Sequence, residues 1–245
     1  MLKVTIWNEF LHEKTDERAK ALYPEGIHEH LAKVLQAPDL EIRTAYLDQD
    51  EDHGLGGDVL DSTDVLLWWG HMAHNKVKDE VAAKVRKRVR EGMGFVPMHS
   101  AHMSKAFVGL MGTACTLQWR EIGEKARIWC VNPGHPIAQG VPLTFPLESE
   151  EMYGEVFHIP APDELLFITW WQGGNVFRGG CTFRRGLGKI FYFHPGHETC
   201  PSFHNENVLK ILSNAIRWAA PAEPRDFRAG DWVEPLEEFR PEKLR

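Results

Sequence analysis

Apolar positions recur along this chain in two rhythms, and the order in which they alternate outlines a fold. Lys3 to Trp7 is an apolar strand. Pro24 then opens a helix whose apolar positions Ile27, Leu31, Val34 and Leu35 keep helical spacing until Ala37-Pro38-Asp39 stops it. Leu40 to Leu47 alternates as a second strand. Asp64 to Trp69 is apolar on both faces, the pattern of a parallel strand covered by helices on either side. Lys76 to Glu91 carries Val77, Val81, Val85 and Val89 on one stripe. Gly94 to Met98 is a further buried strand, running through a tight turn into an apolar-periodic helix from Ala101 to Leu110. Strand, helix, strand, strand, helix, strand, helix predicts an α/β fold with a mainly parallel, doubly wound sheet.

Beyond Gly112 the rhythm changes. Leu117 to Glu121 and Ala126 to Val131 read as two strands joined by a short charged connection, and Asn132 to Ile137 as a turn-rich loop. Pro142 to Gly154 is an acidic stretch. Phe157 to Ile159 and Leu165 to Trp171 are further strands, and glycine pairs flank Val176-Phe177-Arg178 as in a hairpin. Segment 117–185 is therefore expected to decorate the parallel sheet as inserted antiparallel strands and loops. Gly188 to Phe193 is a last buried strand, and Asn207 to Ala219 a closing helix. One domain should cover residues 1–219. The Pro-rich, charged stretch 220–245 reads either as an arm that packs on another subunit of a homo-oligomer, burying Phe227, Trp232 and Phe239, or as a disordered tail.

Composition narrows the function classes. The 245 residues are 43% hydrophobic with a net charge of −7, and the densest basic run, Lys84 to Arg90, alternates with valines on a helix. That excludes a nucleic-acid binder built on a basic face. No apolar run approaches the about 20 residues that span a bilayer. Cys115, Cys130, Cys181 and Cys200 lie far apart, which reads as free thiols in a reducing cytoplasm rather than a disulfide framework. The 13 histidines are unusual, and histidine is both the commonest metal ligand and the side chain that titrates near neutrality.

Their placement carries the chemistry. Asn8-Glu9, His71/His74, His99/Ser100/His102 and His194/His197/Glu198 all leave the carboxyl ends of predicted strands, so they face one crevice, where open α/β sheets bind ligands. The acidic stretch, read as a loop with Glu148, Glu150 and Glu151, would add a carboxylate from the inserted section. The turn at His99-Ser100 occupies the strand-to-helix position that holds the nucleophile in many hydrolases, yet it contains no cysteine.

In order, Trp7-Asn8-Glu9-Phe10, Tyr23-Pro24-Glu25-Gly26-Ile27-His28, Asp64 to His71, Gly94 to Ser100, His135-Pro136-Ile137, Glu150 to Tyr153 and Gly188 to His197 resemble the trehalose-utilisation (ThuA-like) family, within the class I glutamine amidotransferase-like fold. The resemblance spans roughly residues 4–219. It implies a flavodoxin-like three-layer domain and a role in the metabolism of trehalose or related disaccharides and glycosides. The wider amidotransferase pattern pairs an elbow cysteine with a histidine near the last strand. His194 fills the histidine slot, but His99 or Ser100 stands in the cysteine slot, which excludes glutamine hydrolysis through a thiolate at this turn.

Three readings stay open. In the first, His71, His102 and His197 ligate zinc or another divalent ion, with Glu151 and His99 handling protons. In the second there is no metal, and His99 and Glu151, beside His194, move protons on a keto-sugar as a sugar isomerase or epimerase requires; a metal-assisted hydrolase belongs to the first. In the third the crevice binds a carbohydrate without catalysis. In each, Asn8, Glu9, Ser100 and Tyr153 are expected to contact the substrate. Trp68, Trp69, Trp119, Trp170 and Trp171 would suit sugar stacking, although tryptophans in apolar strands also read as core.

Overall fold

The computed structural model describes residues 1–222 and 234–238. Most of the expected arm at 220–245, including Phe227, Trp232 and Phe239, therefore lies outside the described residues. The chain begins with β1 (Leu2–Asn8), followed by two short helices, α1 (His12–Thr15) and α2 (Glu17–Leu22). The expected helix after Pro24 starts three residues later, as α3 (Ile27–Val34). Then come β2 (Leu40–Tyr46), α4 (Asp58–Asp61), β3 (Val65–Trp69), α5 (Asp79–Arg90) and β4 (Gly94–Met98).

The helix expected from Ala101 is broken in two. Residues His99–Met103 form a tight 3₁₀ turn, and Ser104 then caps α6 (Lys105–Met111) by accepting from the Phe107 N–H. The cap is thus Ser104, which frees Ser100 for another partner. The second half comprises β5 (Gln118–Cys130), β6 (Thr144–Gly154), β7 (Glu164–Trp171), β8 (Val176–Arg185), β9 (Gly188–Phe193) and α7 (Glu206–Ala219). Among the described residues no helix is long and apolar enough to cross a membrane.

Among the described residues all strands join one nine-stranded sheet in the order β2-β1-β3-β4-β9-β8-β7-β5-β6. From β2 to β9 neighbours run parallel, and from β9 to β6 they run antiparallel. The protein is therefore an α/β fold on a large mixed sheet: the parallel half and the antiparallel strands of segment 117–185 are both present, but the parallel pairings do not predominate. The inserted segment continues the sheet edgewise from β9. Three other expectations are corrected. The two strands expected between Leu117 and Val131 are one strand, β5, with irregular register around Gly123, whose φ of 74° makes the kink that reads in sequence as a break. The acidic stretch is not a loop but β6, in which Glu148 is exposed while Glu150 and Glu151 are buried. Phe157 to Ile159 is not a strand.

Packing follows from the patterning. Right-handed crossovers that move outward in opposite directions from β1 and β3 put α3 and α5 on opposite faces. α3 packs on β1 and β2, and α7 on β4 and β9. Val65, Leu66, Leu67, Phe95, Val96, Ile190 and Phe191 are fully buried between the layers. Trp7 and Trp68 stack with ring centroids 3.8 Å apart, and they, Trp69 and Trp171 belong to the core.

Candidate functional site

The carboxyl ends of β1, β3, β4 and β9 meet at one sheet edge, and the far end of β6 folds in beside them. At the tip of β4 the backbone turns so sharply that His99 takes φ = 52°. A non-glycine residue in the left-handed region costs about 1 kcal/mol, a strain held only where surrounding contacts impose it. His99, not Ser100, is therefore the elbow residue. Its fully buried ring is fixed at both ends: Nδ1 donates to the His194 carbonyl at 3.1 Å, leaving the Nε2 lone pair 3.0 Å from Glu151 Oε2 and 3.4 Å from the Tyr153 hydroxyl. The tautomer follows from the partner, since a carbonyl can only accept. Ser100 Oγ lies 2.6 Å from the same Tyr153 hydroxyl.

Two more histidines close around this pair. His197 Nε2 is 3.9 Å from Glu151 Oε2 and 3.7 Å from Glu198 Oε1. His71 Nδ1 is 3.1 Å from Glu198 Oε2, out of hydrogen-bond alignment. His71, His99, Glu151 and His197 each offer a ligand atom, and the four atoms lie within 4.8 Å of one another. Glu151 Oε2 and His197 Nε2 are buried without a hydrogen-bond partner. A second, overlapping group is His12, His71 and Glu198.

The electrostatics follow from burial. Desolvation drives His99 well below the usual histidine range, helped by the neighbouring His197 and His71. It also pushes Glu151 up, against the pull of the same two rings. Burial opposes charge on His71 and Glu198 as well, but their mutual contact prevails, raising His71 and holding Glu198 at about 2. One ion pair thus stands beside a nearly neutral imidazole–carboxyl pair.

The other expected residues take different places. His102 is not in the four-ligand group: its Nδ1 donates to the Cys115 carbonyl at 2.6 Å, burial lowers it to about 3, and it lines the cavity. His194 is fully buried, with Nε2 3.1 Å from the Glu151 carbonyl, so it holds the Glu151 backbone and the His99 ring in place. Asn8 turns inward to Glu13 at 2.7 Å and His28 at 3.0 Å. Glu9 accepts from the N–H groups of His71, Met72 and Ala73, which shapes the loop carrying His71. Neither Asn8 nor Glu9 lines the cavity. Glu150 plays the same part for the β9 loop, accepting from the N–H groups of Gly196 and His197 and from Ser202, and burial lifts it to about 7. Glu198, expected at the crevice but given no role there, pairs with His71, and His12 enters the site without having been singled out. The one signal was their position in loops that leave β9 and β1.

Above the cluster opens a cavity of about 500 Å³, lined by His71, Ser100, His102, Glu151 and Tyr153 below and by Met72, Met103, Leu117, Trp119, Thr116 and Glu121 above. That size suits a small molecule, for which sites run about 300–1,000 Å³.

A mixed-sheet α/β domain with a histidine- and carboxylate-floored crevice at the carboxyl ends of its parallel strands defines the class. Within it, the chain belongs to the ThuA family, trehalose utilisation, whose family model matches residues 3–219. A ThuA-like protein from Bacteroides uniformis ATCC 8492 shares the fold with a TM-score of 0.63 at 16% identity, over 89% of this chain and 91% of that one. A ThuA-like protein from Parabacteroides merdae ATCC 43184 gives 0.63 at 13% identity, over 89% of each chain. A cytoplasmic protein of Salmonella typhimurium LT2 gives 0.59 at 13% identity, over 89% of this chain and all (100%) of that one. At such identities the likeness is one of fold. No curated protein matches the chain.

Proposed function

We propose that this protein acts on a sugar or keto-sugar of trehalose or related glycoside metabolism, in the cytoplasm, at a divalent-metal centre held by His71, His99, Glu151 and His197. One observation carries the reading: four ligand atoms from four separate segments converge within 4.8 Å, and two of these side chains have a buried atom, Glu151 Oε2 and His197 Nε2, that makes no aligned hydrogen bond. Buried polar atoms are rarely left so. The 3.0 Å and 3.9 Å separations within the group bracket the about 3.3 Å between ligands that a tetrahedral zinc shell imposes. The donor set, imidazoles with one carboxylate, suits zinc. This ligand set replaces His102 of the sequence reading by His99 and Glu151. When bound, such an ion polarises a carbonyl or hydroxyl oxygen and acidifies bound water.

The chain's own residues supply the rest. With its Nδ1 committed to Cys115, His102 keeps Nε2 as a neutral acceptor for a hydrogen bond from a sugar hydroxyl in the cavity. Tyr153 and Ser100, joined at 2.6 Å, offer a hydroxyl pair to orient the ring. Glu198 steadies His71.

A second reading is favoured by the 3.0 Å contact between His99 Nε2 and Glu151 Oε2, whose pKa values burial drives in opposite directions. Such a pair shares a proton and can shuttle it without metal, as isomerisation of a keto-sugar demands. Metal analysis of the purified protein decides between them. The first reading expects about one zinc or similar ion per chain, lost in His71→Ala and His197→Ala with the fold retained. It also expects a melting temperature that rises on adding zinc to chelated protein. No metal content and no response to zinc would overturn it. Solvent-deuterium exchange into a keto-glucoside that depends on Glu151 would then favour the second.

A further inference from the structure

The cavity lining divides by burial. Its polar members Ser100, His102, Glu151 and Tyr153 are buried at the floor, while Thr116 and Glu121 are exposed at the rim. Its large apolar members stand in the open at the mouth: Met72 is 74% exposed, Trp119 67% and Met103 40%. These three come from unrelated places, the loop after β3, the 3₁₀ turn after β4 and the start of β5, with Leu117 between the last two. Single exposed apolar residues are ordinary, but a group converging on a concave site marks surface that a ligand covers. Met72 is also tethered, its Sδ 3.3 Å from His12 Nε2 at the edge of the histidine cluster.

A bare disaccharide would set hydroxyl-rich edges against two thioethers and a leucine, groups that cannot hydrogen-bond them. A ring-bearing apolar group would remove the same surface from water and meet methionine sulfur and an indole face, which both favour aromatic partners. Building on the carbohydrate reading above, we infer that the substrate is a glycoside with an apolar, aromatic aglycone. The sugar sits on the polar floor, and the aglycone lies between Met72, Met103 and Trp119. Trp119 and Thr116 lie on the β5 side and Met72 and Met103 on the parallel side, so the aglycone bridges the two halves of the sheet.

Calorimetric titration of the intact protein, as isolated and with zinc added, tests this with 4-nitrophenyl glucopyranoside, methyl glucopyranoside (both anomers of each) and trehalose. The nitrophenyl glycoside should bind at least about tenfold tighter than the methyl glycoside, equivalent to about 1.4 kcal/mol, and tighter than trehalose. In the double variant Met72→Gln/Met103→Gln, close in shape and placed at exposed positions, the preference should shrink to about threefold or less, while methyl glucopyranoside binds as before. Equal binding of the two glycosides, tighter binding of trehalose, or a preference that survives in the double variant would overturn the aglycone site and leave the carbohydrate reading standing. If the nitrophenyl glycoside binds no better than free 4-nitrophenol and neither other sugar binds, the carbohydrate reading itself falls, and this inference with it.

Discussion

At the scale of single residues, the site is a matter of which atoms have been given a partner and which have not. Asn8, His28 and Glu13 are linked behind the crevice: the Asn8 amide donates to Glu13 Oε1 at 2.7 Å and to His28 Nδ1 at 3.0 Å. His28 must be neutral to accept, and burial lowers its pKa to about 4 from an ordinary 6.5. The folded-state value is depressed, so the stability this gives is full above about 6.5 and is lost as pH falls towards about 4, by roughly 3 kcal/mol at most. Urea unfolding at pH 7.5 and pH 4.5 should therefore show a smaller loss in His28→Gln than in the native sequence. An equal loss would remove His28 from the acid response. The same rule of partners explains what could be read in advance. That His71, His99 and His197 meet was legible, because loops leaving neighbouring parallel strands must converge. That Asn8 and Glu9 serve the scaffold, and that His102 gives one nitrogen to a carbonyl, was not. Sequence places a side chain at a sheet edge but does not say which way it turns.

At the scale of elements, the parallel strands were legible because each shows a clear apolar pattern between turn residues, unbroken in β3 and alternating in β2. The antiparallel ones were blurred by their irregularities: a glycine kink divided β5, and charge disguised β6, whose inward carboxylates serve the site rather than water. Packing between elements hangs on close approaches that the apolar pattern does not record. A Cβ placed on Gly94 at the start of β4 would lie 2.5 Å from the carbonyl oxygen of Ala219 at the end of α7, a backbone atom that cannot swing aside. Gly94→Ala should thus lower stability by about 1–3 kcal/mol, the usual cost of overpacking. Gly134→Ala serves as control, since its nearest neighbour is Asn132 Oδ1 at 3.9 Å. Denaturant midpoints for the two variants check this. Equal shifts would mean that the β4–α7 contact is slack.

At the scale of the whole molecule, the sheet is one continuous ladder, yet its central parallel strand comes late in the chain: β9 fills the place beside β4 only after some 90 residues, α6 and four further strands among them, have been laid down. Loop closure over such a distance is costly, and contacts of high sequence separation form slowly. Pulse-labelled hydrogen exchange during refolding should find amides of β1 and β3 protected first, and those of β4 that face β9 protected only together with β9 itself. Simultaneous protection across β1 to β9 would contradict this order. The consequence reaches protein synthesis. As the ribosome releases the first hundred residues, the β4 edge and its apolar face have no neighbour, and they must wait for a segment still being translated. A bare edge of this kind invites pairing with other chains. Expression at lower temperature, or with chaperones that shield nascent strands, should therefore raise the yield of this protein more than any substitution in its crevice.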